Sequence, residues 1–557
     1  MFRKTRQNAQ LDLFSSPEMQ LCKRAAKKYS DPLAWHNKFF EMITSRIDEE
    51  IFRPLFKEDG KKEGRPNASI RIIVAMSVLK EGFGCSDEEL FEKCDYDMLT
   101  RKALGLLNMT DAAPSLDTYY LFRRRLVEYE SATGTDLMQQ CFAQVTKEQV
   151  KSLNISGKSV RMDSKLIGSN IANHSRYELI QRTLVKFLRV WDLALLGQQA
   201  RQRAEEYLKE NATGTVYRAD KDTLNNRLQE IGEFIHAILG RYTSTMEGYP
   251  LLERLFNDQY TVVDDKVILR DRKEISADSL QSPDDPDATF RTKNGKNTKG
   301  YSANTTETIP EKDKDGKTVK PSIITDVRVE PANTADTDFL VSGVEASEAV
   351  TGQKADEVYA DGAYQSPDNR AWATQRGTEL KTGKMQGGSR FILTRKDGTD
   401  EVTVTDTVTG EVIQATHHRT RKGSDVWFIP HPDKEGKKRY FSEKAVANSM
   451  LRQQLLKIPP EELARRNNVE AAMFQYSFHT RLGKTRYRGL LKHRMQAYGR
   501  CMWMNLRRIV MVLFALIFGA YEAFQNAFGS ILGSTDRDFG FFTREPALAT
   551  GPVICTY

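Results

Sequence analysis

At Gly157 the spacing of apolar residues changes, and that change restricts the chain to a mixed α/β fold. Upstream, Trp35, Phe39, Phe40, Ile43 and Ile47 recur at helical intervals. IRIIVAMSVLKEGFG, CSDEELFEKCDYDMLTRKALG and PSLDTYYLFRRRLVEYE each predict a further helix. The first follows a GRPNAS loop with Pro66 and a cap at Asn67 or Ser69. Ser86 followed by Glu89 forms a capping box for the second, and Ser115 or Asp117 caps the third. In GKSVRMDSKLIGS, by contrast, Val160, Met162, Leu166 and Ile167 predict a short strand with Asp163 inside it. A carboxylate in an apolar strand is costly to bury unless it is paired or metal-bound.

RYELIQRTLVKFLRVWDLALLGQQARQRAEEYLKE carries Leu184, Leu188, Trp191 and Leu195 on one face and predicts a single long amphipathic helix. TLNNRLQEIGEFIHAILGRY predicts another, with His236 as a satisfied core histidine. Beyond residue 260 the pattern turns to strands: a hairpin or helix edge in YTVVDDKVILRD, then a polar loop leading to a strand at Tyr301. Strand–turn–helix units follow in SIITDVRVEPANTADTDFLVSGVEAS and DEVYADGAYQSPDNRAWATQRG, with Asp361 ending the second strand, and RFILTRK is a further strand. Strands first, then alternating β and α, indicate a mixed α/β sheet. The Val/Thr alternation after it suggests a small antiparallel insertion. Adjacent His417 and His418 face opposite sides of a strand there and make a poor metal pair.

Composition limits the partners. Of 557 residues, 39% are apolar and 28% charged, which is globular. The six cysteines form no CxxC pair, which argues against a zinc ribbon or disulfide scaffold and suits a reducing cytoplasm. No signal peptide is evident in MFRKTRQNAQLDLF. The most apolar run, from Ile509, is broken by Gly519 and Glu522 and falls short of the ~20 residues a bilayer requires, so a buried or dimer-packing helix is expected rather than an anchor.

The net charge of +8 is concentrated. From Arg465 to Arg508 there are eleven Lys/Arg against a single acid, Glu470, on an expected helix. Basic residues interleaved with Tyr487, Tyr498 and Trp503 suit phosphates and exposed bases, or else a solvated helix with its aromatics in the core, where Trp503 fits better. Arg123, Arg124 and Arg125 form a second cluster, in a block that reads as a helix-turn-helix-like module or as a plain helical bundle with a solvated face. Two-metal phosphoryl transfer needs hard oxygen ligands converging from several elements. Asp163, Asp361 and Glu470 stand in suitable places, but spacing cannot select three among 75 acidic residues. Asp264 and Asp265 qualify on pattern alone, whereas Asp326 reads as a strand-edge ion partner.

DSKLIGSNIA, SPDDPDATFRTKNGK…KGYSAN, YADGAY and RRNNVE with its basic run resemble the blocks of bacterial insertion-sequence DDE transposases. The helical block from GRPNAS to FRRRL is similar to the N-terminal domain common among them. The resemblance covers about 65 to 508. It implies an α/β RNase H-like catalytic core with a helical N-terminal DNA-binding domain, a helical insertion and a small β insertion. The expected limits are 1–150 for the N-terminal domain and 155–400 for the first part of the core, with the helical insertion at about 175–245. The β insertion is expected at 400–445, the helical part carrying Glu470 at 446–510, and a C-terminal helix and tail at 511–557. The resemblance further implies Asp163, Asp361 and Glu470 as ligands of two Mg²⁺ ions, for which Mn²⁺ can substitute.

Arg466, one turn before Glu470, matches the family's Arg-x-x-x-Glu and would hold the carboxylate or a phosphate. Leu463 stands where several relatives have Tyr, and Ser477 where they have Lys, so Arg481, Lys484 or Arg486 is left to supply that positive contact. With Arg488 and the 123–125 cluster these form the expected DNA track. Arg291 and Lys293 lie beside the Asp285/Asp287 loop, read as a DNA- or active-site-lining element or as a structural turn. No structural zinc is expected in an insertion without cysteine. The expected activity is metal-dependent cleavage and strand transfer on terminal inverted repeats and target DNA, by a homodimer or larger synaptic assembly at the nucleoid. A DNA-binding derivative without chemistry and a metal-dependent nuclease are the other readings.

Overall fold

The computed structural model describes residues 2–5, 14–56, 67–240, 247–293, 295–383, 389–396, 398–419 and 424–531; Pro66 and the tail beyond 531 lie outside it, as do the side chains of 460, 463, 466–469 and 520–531. After two short helices, Pro17–Gln20 and Lys23–Tyr29, come α1 (Trp35–Met42), α2 (Ile70–Phe83), α3 (Asp87–Tyr96), α4 (Met98–Leu104), α5 (Leu116–Thr133) and α6 (Leu137–Ser152). Their starts follow side-chain chemistry. Ser69 and Ser115 accept from Ile72 N and Thr118 N, and the Ser86–Glu89 capping box is formed. α2 is apolar almost all round and is buried to match.

Strand β1 (Ser159–Gly168) opens the main sheet. A helical insertion follows, with α7 (Arg176–Arg189), α8 (Gln198–Lys209), α9 (Lys221–Leu239), α10 (Tyr249–Gln259) and a hairpin of Tyr260–Val263 with Lys266–Leu269. The predicted single long helix is divided. α7 stops at Arg189, Asp192 caps a short 3₁₀ turn, and α8 starts afresh at Gln198. His236 is exposed and stacks on Phe256 (5.4 Å), so it is a rim residue rather than a core one. Asp264 and Asp265 form the hairpin turn at positive φ.

The sheet continues with β2 (Thr289–Lys293), β3 (Lys296–Thr308) and β4 (Ile324–Pro331), then α11 (Leu340–Thr351), β5 (Glu357–Ala360), α12 (Pro367–Arg376) and β6 (Glu379–Thr382). Its order is β6-β5-β1-β3, with β2 and β4 sharing the far edge of β3 end to end. β1, β5 and β6 are parallel, and β3 is antiparallel to its neighbours. The strand at 391, expected within the core, instead starts a separate five-stranded antiparallel sheet: β7 (Phe391–Arg395), β8 (Val402–Asp406), β9 (Val412–Arg419), β10 (Asp425–Pro430) and β11 (Lys438–Ser442). Exposed His417 and His418 lie on β9, with His417 3.0 Å from Asp425.

Helices α13 (Glu443–Leu456), α14 (Pro460–Tyr476) and α15 (Leu490–Ile531) complete the described chain. The basic segment is therefore two helices separated by a loop over 477–489, not one helix; Leu482, Gly483 and Gly489 take positive φ there. One apolar core unites the N-terminal helices, β4 and the first half of α15, from Phe39 and Val74 through Ile324 and Val327 to Met502 and Ile509. The insertion has its own core around Ile180, Ile231 and Leu252. α15 is longer than the apolar run suggested: Leu490–Gly519 is long and apolar enough to cross a membrane by length and composition. Its first half is inside the protein, while Met511 and Phe518 are 66% and 62% exposed.

Two buried polar devices tie α15 to the sheet. Asn505 accepts from Ile324 N (2.8 Å) and donates to Ile324 O (2.9 Å), closing part of the free edge of β4. Glu307 of β3, wholly buried, is held between Arg161 of β1 and Arg508 of α15, each at 2.6 Å.

Candidate active site

β1 presents alternate residues to opposite sides of the sheet. Val160 and Met162 pack in the cluster beneath α11 with Val344, Val358 and Ala360. Arg161, Asp163 and Lys165 face the other way, toward α14. Arg161 donates to Arg465 O (2.8 Å), and Lys165 Nζ donates to Met473 O (3.3 Å) and Ser477 Oγ (2.7 Å). Asp163, half-buried, lies between these anchors and accepts from Ser164 N (2.9 Å). Burial lowers the Lys165 pKa, and the neighbouring Asp163 charge opposes that shift.

Asp361 belongs to the same level of the sheet. The parallel ladder pairs Ser159 with Glu357, Val160 with Val358 and Arg161 with Tyr359, and the same offset carried two residues onward sets Asp361 beside Asp163. Adjacent strands lie ~4.8 Å apart. Asp361 is extended, directly follows β5, and accepts from Gly362 N (2.6 Å). Two residues earlier, Tyr359 meets Arg465 of α14 (3.4 Å), so the α14 side is the side to which Asp361 also belongs.

Glu470 lies on α14 between the residues that touch β1 at either end, Arg465 near Arg161 and Met473 near Lys165. It shares a helical stripe with Met473 and Ser477 and is exposed. The three acids therefore belong to one face of the sheet and the helix laid across it. Among the described residues, no three His, Cys, Asp or Glu side chains are gathered as a metal site. The donors on this face are hard oxygens of the kind Mg²⁺ takes. A further one is Thr305 Oγ1, paired across the sheet from Asp163 and buried without a hydrogen-bond partner.

The basic residues divide. Arg466 lies on α14 one turn before Glu470, its side chain outside the described set. Arg481 is exposed at a tight turn closed by its own backbone bonds to Lys484. Lys484 Nζ donates to Ile171 O (2.7 Å), Arg486 to the carbonyls of Gly84 and Cys85, and Arg488 to Asn170 O (2.7 Å). Arg123 lies over the Tyr487 and Tyr119 rings, Arg124 pairs with Glu128 (3.6 Å), and Arg125 lies over Phe56, so the three arginines do not form one surface. Arg291 donates to Thr334 O (2.8 Å) and pairs with Asp336, as does Lys293 at 3.9 Å.

The interleaved aromatics belong to the interior, not to a base-stacking surface. Tyr487 donates to half-buried Glu81, Tyr498 donates to Asp136 (2.8 Å), and Trp503 packs on Trp35, Phe39 and Phe83. Asp285 is equally structural, since Ser169 and Tyr301 both donate to its buried carboxylate. Local spacing gave no sign of these partners, which come from elements up to several hundred residues away.

A mixed sheet with one carboxylate midway along β1 and another in register just past β5, roofed by a helix with a third, is an arrangement suited to metal-assisted phosphoryl chemistry. Residues 28–125, from just before α1 into α5, match the model of a family described as Transposase domain (DUF772). No curated protein matches the chain. The family match supports a transposase.

Proposed function

We propose that the chain is a DDE transposase with an RNase H-like core, which binds the terminal inverted repeats of its element and cuts and joins DNA strands. The observation that carries this reading is the common register of Asp163 and Asp361 beneath the helix of Glu470, in a chain whose N-terminal part matches a transposase domain. Asp163, Asp361 and Glu470 would hold two Mg²⁺ ions, with Mn²⁺ able to substitute. Such ions would lower the pKa of a water or 3′-hydroxyl and would stabilise the leaving oxygen. The chain's own residues position: Arg161 and Lys165 fix α14 against β1, and the basic residues beyond Glu470 hold the phosphate backbone. A homodimer or larger assembly would bring two element ends together.

The test is incubation of the full chain with labelled element-end DNA and Mg²⁺ or Mn²⁺. Cleavage followed by joined product is expected, and Asp361→Asn or Glu470→Gln should each abolish cutting while leaving DNA binding nearly unchanged. Either variant remaining active would remove that residue from the ligand set. Cleavage without joining would point to a nuclease, and binding without cleavage under any condition would sink the enzymatic reading.

A further inference from the structure

Between the N-terminal helices and the 477–489 loop lies a cleft of about 450 Å³. Its cations come from both sides of a seam: Lys80 on α2 and Arg123 on α5, then Arg486 and Arg488 on the loop and Lys492 in the first turn of α15. Asp87 is the one carboxylate among the lining residues, and it is engaged by Lys80 and, at 3.6 Å, by Arg123. Arg486 and Arg488 donate to backbone carbonyls, which fix the guanidinium groups without cancelling their charge. The nearest acid to Arg488 is exposed Asp284 at 4.0 Å. Glu81 lies behind the cleft and acts on Lys80, Arg123 and Arg486, so the charge left for an anion rests mainly on Arg488 and Lys492 at the rim, backed by the other three cations.

We propose that this cleft grips the DNA backbone, so that the transposase-domain helices and the segment after Glu470 hold the same phosphates. The inference rests on the transposase reading and adds a position to it. The loop is stitched to the end of β1 by Gly168 N to Gly483 O (2.8 Å) and Thr485 N to Gly168 O (3.0 Å). Gly168 lies five residues beyond Asp163, roughly 16 Å along an extended strand.

The experiment measures binding of the full chain to a duplex from the DNA flanking its gene across a salt series. Arg488→Gln/Lys492→Gln should make the slope of log K against log salt shallower by about 1.8, or about 0.9 for each phosphate no longer neutralised. Arg488→Lys/Lys492→Arg should keep the wild-type slope, as should Lys221→Gln on the insertion, which removes one exposed charge that does not line the cleft. Unchanged thermal unfolding of the double Gln variant shows that the fold is intact. Methylphosphonate substitution scanned along the duplex should locate phosphates whose neutralisation weakens wild-type binding but not that of the double Gln variant. Wild-type binding and cutting with an unchanged slope in the double Gln variant would overturn the cleft alone. A wild type that binds no DNA would overturn the transposase reading and the cleft with it.

Discussion

Two buried groups near the sheet titrate with opposite consequences. Asp326 on β4 pairs with Arg328 at 2.9 Å, yet complete burial outweighs that partner and lifts its pKa from 3.8 to about 6. Its contribution to stability is thus full below its unfolded value and is lost as pH rises through about 6. His493 on α15 packs tilted against Tyr301, ring centroids 4.2 Å apart, and donates to Tyr487 O; burial lowers its pKa from 6.5 to about 4, with the Asp285 charge opposing. It contributes stability above 6.5 and loses it as pH falls toward 4. Urea unfolding across pH 4 to 7 should separate them. Asp326→Asn should abolish the part of the stability that declines with rising pH, and His493→Gln the part that declines with falling pH.

At the scale of elements, the Arg161–Glu307–Arg508 triad joins β1, β3 and α15, so the strand of Asp163 and the last helix share one buried charge network. Glu307→Gln should cost about 3–5 kcal/mol in denaturant unfolding, because it leaves two guanidinium groups inside without their counter-charge. Helix starts were legible because caps are local: Ser69, Ser86 and Ser115 act within three residues. The break after Arg189 was hidden by apolar spacing that continues through Trp191 and Leu195, although Asp192 supplies a cap. The partner of the Phe391–Arg395 strand was equally hidden, since β-propensity states that a strand forms but not which strand it joins. The register that sets Asp361 beside Asp163 spans 198 residues and has no local signature. Only resemblance to a family supplied that pairing.

At the scale of the whole molecule, the N-terminal helices are not a separate head, because their core is continuous with β4 and α15. The helical insertion differs, having a core of its own. It departs beyond Ser169 and returns before Ala288. Ser169 bonds both Lys299 O (3.0 Å) and the carboxylate of Asp285, so departure and return lie side by side. Replacing residues 175–278 by a short Gly/Ser linker should leave the far-UV signature and cooperative unfolding of the remainder intact, since closing so short a gap costs little chain entropy. Such a chain is modular in the way of a socket and its fitting. What is plugged in between β1 and β2 can be lengthened, exchanged or removed without moving the strand that carries Asp163.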